Sequence, residues 1–198
     1  MPLVDDLNAL AAAAGLPLEP ITAGRTRFCD VDARLWIGER RIDALLRDDG
    51  AFDVLVWRGE DVAACGRVDE GDALVRAMWS WQQGDATGGG RLRACADPGE
   101  SVEAQWRALL DHGDAYLHPL AASAGARQTL RALRPRVSHG TLHLLHPTYR
   151  TGGPRRGLAF HPLSGDGTYR VHLYDGPESE WLPTDEAVTH AAEAARHW

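Results

Sequence analysis

Apolar residues open the chain at helical spacing. Leu3, Leu7, Leu10 and Ala14 share one face, and Gly15 with Pro17 ends the run. The period then shortens. "ARLWIGE" (33–39), "RRIDALLRD" (40–48), "FDVLVWRG" (52–59) and "DVAACGRV" (61–68) are short, partly alternating and divided by Gly and acidic turns. That pattern predicts meandering strands. "DEGDALVRAMWSWQQG" returns to the helical period, with Leu74, Met78 and Trp81 on one face, Val75 beside them, and acids in the first turn.

Residues 84–100, "GDATGGGRLRACADPGE", read as a flexible joint. "SVEAQWRALLDHG" follows as a helix with Ser101 as its cap and Val102, Trp106, Leu109 and Leu110 inward. "DAYLHPLAASAGARQTLRALRP" reads as further helix, broken near Pro119 and Gly125. Strands resume with "VSHGTLHLLH" (137–146), "GLAFHPL" (157–163) and "TYRVHLYDG" (168–176), with a short one around Trp181. "PTDEAVTHAAEAARHW" closes the chain as a helix capped by Thr184, with Val188, Ala191, Ala195 and Trp198 on one stripe.

The two halves repeat a layout of helix, meandering strands and acid-started helix. "DVLVWRGEDVAACGRVDEGDALV" and "YRVHLYDGPESEWLPTDEAV" both run from a strand ending in an aromatic residue, through a Gly turn, to an Asp/Glu-rich helix start. The expected fold class is α+β: two similar half-domains, each an antiparallel sheet with flanking helices. The expected limits are 1–84 for the first half, 85–100 for a linker and 101–198 for the second, joined as one compact unit. No parallel βαβ order is present, which disfavours a dinucleotide-binding fold.

Composition narrows the chemistry. The 198 residues are 44% hydrophobic and 25% charged, and the formal net charge of −7 disfavours nucleic acid as a partner. Every basic residue is an arginine, so no Schiff-base lysine and no Walker-type phosphate loop can form. "MPLVDDLNALAAAAGLP" is acidic and amphipathic, unlike a secretory signal, and no stretch approaches the ~20 apolar residues of a membrane helix. Cys29, Cys65 and Cys95 are odd in number and widely spaced, which suits a reducing cytoplasm. No membrane contact and no cofactor are expected.

"SHGTLHLLHP" (138–147) gathers His139, His143 and His146, and His161 follows in "GLAFHPL". On one strand, His139 and His143 would stand ~13 Å apart. A metal ion needs ligands within about 2 Å of itself. This pair alone therefore makes no metal site, and none is expected. Acid–base work would need His143 to meet His161 or His172 from a neighbouring strand. Ser138 and His139, as successive strand residues, would face opposite ways and not pair. No G-x-S-x-G elbow is present. Arg150 and Arg155, in the glycine-rich "RTGGPRRG", are candidates for holding an anion beside a His146/His161 pocket. Seven tryptophans, Trp181 among them, supply a core or line a cleft.

Several segments resemble an actinobacterial family, domain of unknown function 6193, labelled natural product biosynthesis proteins. They are "VEAQWRALL", "LRALRPRVSHGTLHLLHP", "TYRVHLYDG" and "PTDEAVTHAAEAARHW", with a first-half likeness in "WRGEDVAACGRVDEGDALVRAMWSWQQG". The most specific piece, P-x-V-S-H-G-T-L-H, sets Ser138, His139, Gly140 and Leu142 on the family pattern. The following "LHPTYRTGGPRR" departs from it. The resemblance implies a biosynthetic setting and no particular reaction.

Together these readings give an expected function. The chain is a cytoplasmic protein of specialised-metabolite, including modified-peptide, biosynthesis. It acts as a cofactor-independent tailoring enzyme such as a cyclase or isomerase. His139, His143 and His161 are the acid–base candidates, and Ser138, Arg150, Arg155 and Trp181 touch the substrate. Its partners are a small-molecule or peptide intermediate and a partner biosynthetic enzyme. The alternatives are a non-catalytic accessory module for a precursor peptide or partner enzyme, and a toxin-immunity protein.

Overall fold

A computed structural model describes residues 2–26, 29–148, 156–163 and 166–198. It forms two compact units, Met1–Thr26 with Asp30–Ala104, and Arg27–Cys29 with Gln105–Trp198. Each is built on an antiparallel sheet flanked by helices, the α+β class that the sequence pattern predicts.

The first unit begins with α1 (Pro2–Ala13). A six-stranded meander follows: β1 (Thr22–Arg25), β2 (Asp30–Ile37), β3 (Arg40–Leu46), β4 (Phe52–Arg58), β5 (Asp61–Val68) and β6 (Arg93–Ala94), in that order across the sheet. Helix α2 (Gly71–Gln82) intervenes between β5 and β6. Alternation puts Ala33, Leu35, Ile42, Ala44, Val54 and Val56 in one core with Leu7, Leu74, Val75, Met78 and Trp81 of the helices. Each such aliphatic side chain contributes roughly 1.5–3 kcal/mol on burial.

The out-of-phase residues of β2 to β4 carry charge inward. Asp43 is fully buried and accepts hydrogen bonds from Arg34 Nε at 2.6 Å and Arg34 Nη2 at 3.2 Å. Arg41 Nε donates to the same carboxylate at 3.0 Å. The arginines also lie against aromatic faces, Arg41 4.3 Å from the Trp57 ring centre and Arg34 5.5 Å from that of Trp36. One carboxylate is thus shared by two guanidiniums that the sheet has largely removed from water, and the aromatic faces of Trp36 and Trp57 take up part of the remaining positive charge.

Residues 85–100 are more ordered than a flexible joint. Asp85 accepts from the backbone N–H groups of Thr87 and Gly89, both at 2.8 Å, which folds "TGGG" into tight turns, and β6 then pairs with β5. Helix α3 (Pro98–His112) starts earlier than Ser101. Asp97 caps it, accepting from Glu100 N–H at 2.9 Å, and Pro98 takes the first helical position. Ser101, inside the first turn and buried, instead accepts the N–H of Val62 at 2.8 Å.

In the second unit the chain makes a 3₁₀ turn (Ala115–Leu117), α4 (His118–Gly125) and α5 (Gln128–Arg131). Trp106, wholly buried, donates its indole N–H to Leu133 O at 2.8 Å. The sheet order is β11-β10-β9-β8-β7, from β7 (Arg134–Ser138), β8 (Thr141–Leu145), β9 (Gly157–Leu163), β10 (Thr168–Leu173) and β11 (Glu178–Pro183). Helix α6 (Thr184–Ala195) packs on β9, β10 and β11 through Val188 and small alanines. Pro183, not Thr184, is at its cap position, and Thr184 Oγ1 donates to Gly167 O at 2.9 Å.

The stretch 137–146 is two strands, not one. His139 and Gly140 have φ of +50° and +78° and form the two-residue turn between β7 and β8, with Ser138 paired to Thr141. Positive φ at both central positions matches the twist of a hairpin, and glycine takes it without strain.

Asp43→Ala is expected to lower the unfolding free energy by about 3–5 kcal/mol, because two buried guanidiniums lose their counter-charge. Urea denaturation followed by tryptophan fluorescence measures this, and a loss below about 1 kcal/mol contradicts the account.

Candidate functional site

Alternation divides the second sheet into two chemically different faces. Leu142, Leu144, Leu158, Phe160, Tyr169 and Val171 are buried and form its apolar side. Their neighbours in sequence point the other way. Cross-strand register lines these up: Arg136 opposite His143, His143 opposite Ala159, Ala159 opposite His172, His161 opposite Arg170, and His172 opposite Glu178. A polar face results, with each of the five strands supplying at least one ionisable side chain around the small Ala159.

The centre of this face is a hydrogen bond between His143 Nδ1 and the Tyr174 hydroxyl. Tyr174 follows β10 and reaches across β9 to make it. Gly157 permits that reach, since a Cβ there would stand 3.1 Å from Tyr174 Cε2 and 2.7 Å from Leu144 O. His172 bridges the cluster, its ring centre 5.9 Å from Tyr174 and 6.1 Å from His161. Thr141 Oγ1 lies 3.4 Å from His161 Nδ1. On the β11 side, Glu178 contacts His172 Nδ1 at 3.2 Å and accepts from Arg170 at 3.1 Å, and the Arg170 guanidinium lies 4.6 Å from the Trp181 ring centre.

Burial and neighbouring charge disfavour the charged forms of His143 and His161. Burial, then the Arg136 cation and then His161, lower the His143 pKa to about 4. Burial, with His172 next, also lowers that of His161. Among the described residues no group of three or more His, Cys, Asp or Glu side chains is arranged to hold a metal ion.

The structure brings together His143, His161 and Trp181 of the sequence candidates. It leaves His139 apart, exposed at the hairpin turn. His139 is therefore in the turn and His143 on β8, so the two do not share a strand. Ser138 Oγ lies 3.0 Å from His139 Nδ1, contrary to the expectation that the two could not pair. The reason is the left-handed backbone at His139, which breaks strand alternation. Arg150 and Arg155 lie outside the described residues. Sequence reasoning missed Arg136, Tyr174 and Glu178. The one available signal was Arg170, His172 and Tyr174 at i, i+2 and i+4 of "TYRVHLYDG".

A concavity of about 250 Å³ opens beyond Gly157 among Arg156, Leu173, Asp175, His197 and Trp198. It lies at the sheet's end and not over the imidazoles.

Residues 100–196 match the family of unknown function DUF6193. The match contains the whole polar face, from Arg136 to Trp181. The first-half segment "WRGEDVAACGRVDEGDALVRAMWSWQQG" falls outside it. No curated protein and no solved structure matches the chain. Among the described residues no helix is long and apolar enough to cross a membrane.

The His143 shift has a definite sign. The imidazole stays neutral in the folded protein to about pH 4, whereas an unfolded one protonates near 6.5. Between those values the unfolded state binds the extra proton. The contribution is thus complete above pH 6.5 and is lost as pH falls towards 4, by up to about 3 kcal/mol. Unfolding free energies measured at half-unit steps from pH 7.5 to 4 are expected to fall less steeply for His143→Gln than for wild type. Parallel profiles contradict the assignment.

Proposed function

We propose that the DUF6193-like unit is an acid–base module, a cofactor-independent tailoring enzyme such as a cyclase or isomerase. The His143–Tyr174 hydrogen bond, on a half-buried face shared with His161 and His172, is the observation that carries this reading. Acid–base catalysis needs a group free to accept a proton at neutral pH and a partner able to return one. With its hydrogen on Nδ1 donated to the phenol oxygen, neutral His143 accepts at Nε2, and the Tyr174 hydroxyl hydrogen is the one returned. His161 and His172 extend the proton-accepting surface, and Arg170 with Trp181 borders the β11 end. His139, remote from this pair, is not assigned a role. The setting that fits the resemblance is cytoplasmic, actinobacterial specialised-metabolite biosynthesis, acting on a small-molecule or peptide intermediate.

A second reading is an accessory module that holds a precursor peptide or a partner biosynthetic enzyme. One observation favours it. The face is open at the β11 edge, where Trp181 is 38% exposed beneath Arg170.

The experiment replaces the native gene with His143→Gln, Tyr174→Phe and His139→Ala variants and follows the cell's metabolites by liquid chromatography and mass spectrometry. Loss of the final product by about 100-fold or more in the first two variants is expected, with accumulation of an unprocessed intermediate. His139→Ala is expected to keep the wild-type profile. Unchanged product in all three removes the catalytic reading and leaves the accessory one.

A further inference from the structure

We infer that Arg136 is the seat for an oxyanion group on the ligand, a carboxylate or a tetrahedral oxyanion such as phosphate, held beside His143 on the polar face. This names the substrate class of the site proposed above and rests on that reading. Arg136 is half-buried on β7 and directly opposite His143 on β8. Among the described residues no carboxylate pairs with it.

Several other arginines of the chain are differently placed: Arg58, Arg76, Arg107 and Arg127 are exposed, and half-buried Arg40 lies over the Trp81 ring. Arg34 and Arg41 share Asp43, Arg47 pairs with Asp53, Arg67 with Asp69, and Arg93 with Glu100. On the polar face itself Arg170 holds Glu178, and Arg134 donates to Pro147 O at 3.1 Å. Among the described residues Glu178 is the one carboxylate that the register places opposite a residue of this face, and it is shared between Arg170 and His172. A protein with a net charge of −7 therefore keeps a carboxylate-poor, arginine-bearing surface beside His143. At Arg136 such a surface offers a planar fork suited to two oxygens, with the Glu178 carboxylate engaged by Arg170 and His172.

The coupling to His143 follows from charge alone. The Arg136 cation is one of the influences that hold this imidazole unprotonated. An oxyanion seated on the guanidinium cancels that cation and adds its own negative charge. His143 then becomes a stronger base when the ligand is present than when it is absent. The ligand's anionic group would prepare the proton acceptor that acts on the rest of the molecule.

The test is an NMR titration of the histidine ring signals of the full chain. Sodium sulfate is the tetrahedral probe and sodium trifluoroacetate the carboxylate probe. Sodium chloride at equal ionic strength is the reference. The His143 midpoint is expected to rise by about one pH unit with at least one probe. His139, at the exposed turn, is expected not to move. Arg136→Gln is expected to abolish the response, and Arg136→Lys to retain part of it. A wild-type midpoint that equals the chloride value with both probes overturns the proposal, and so does an undiminished response in Arg136→Gln. If Arg136→Gln fails to fold by circular dichroism, the wild-type comparison with chloride still decides. A response to sulfate only identifies a tetrahedral oxyanion, and to trifluoroacetate only a carboxylate. An anion response without any effect of His143→Gln on product supports the seat and removes the catalytic reading. The reverse pattern removes the seat alone.

Discussion

Cross-strand register in the second sheet is the constraint on which the polar face depends. A strand shows alternate residues to alternate sides, so a slip of one residue would send His143 under the helices and Leu142 to the polar side. Two residues, His139 and Gly140, set that register at the β7–β8 turn. Their left-handed backbone closes Ser138 onto Thr141, and the ladder then delivers Arg136 to His143. Each further partner, His161, His172 and Glu178, arrives by the same counting from strand to strand. The apolar side chains between them hold the count in place, because Leu142, Leu144, Phe160 and Val171 have no other way to leave water.

The two units solve the problem of charge on a sheet differently. In the first, Asp43 collects the guanidiniums of Arg34 and Arg41 and the group is sealed from solvent. Its charges face one another on the sheet, and its role is structural. In the second, the ionisable groups are half-buried and only partly matched, and the pKa values of His143 and His161 are lowered. Perturbed groups on a face that solvent can still reach are the ones suited to chemistry.

The fold was legible because its signals are local. Period-2 runs from 33 to 68 became β2 to β5, and the acid-started helices became α2 and α6. The hairpin at 139–140 was not legible, because "SHGT" lacks the Asn-Gly or Asp-Gly pair that usually marks such a turn, and the residues around it alternate well enough to read as one strand. That single misreading displaced His139 into the site. Helix caps failed for a related reason. Ser101 has the chemistry of a cap, but "DPGE" just before it supplies a better one through Asp97 and Pro98. The partners of His143 were beyond local reading altogether. Tyr174 is 31 residues away and reaches it across an intervening strand, past a glycine whose role is to be absent.

The bond between Tyr174 and His143 has one more property, and it comes from the phenol rather than the ring. A hydroxyl can turn about its C–O axis. When it donates to Nδ1, the imidazole carries its hydrogen on Nε2, and the far edge of the ring presents a positive end. When Nδ1 holds the hydrogen and the phenol oxygen receives it, Nε2 presents a bare lone pair. The heavy atoms need not move between these states. A rotation about one single bond, with relocation of one hydrogen, inverts the polarity that the face shows to whatever lies on it.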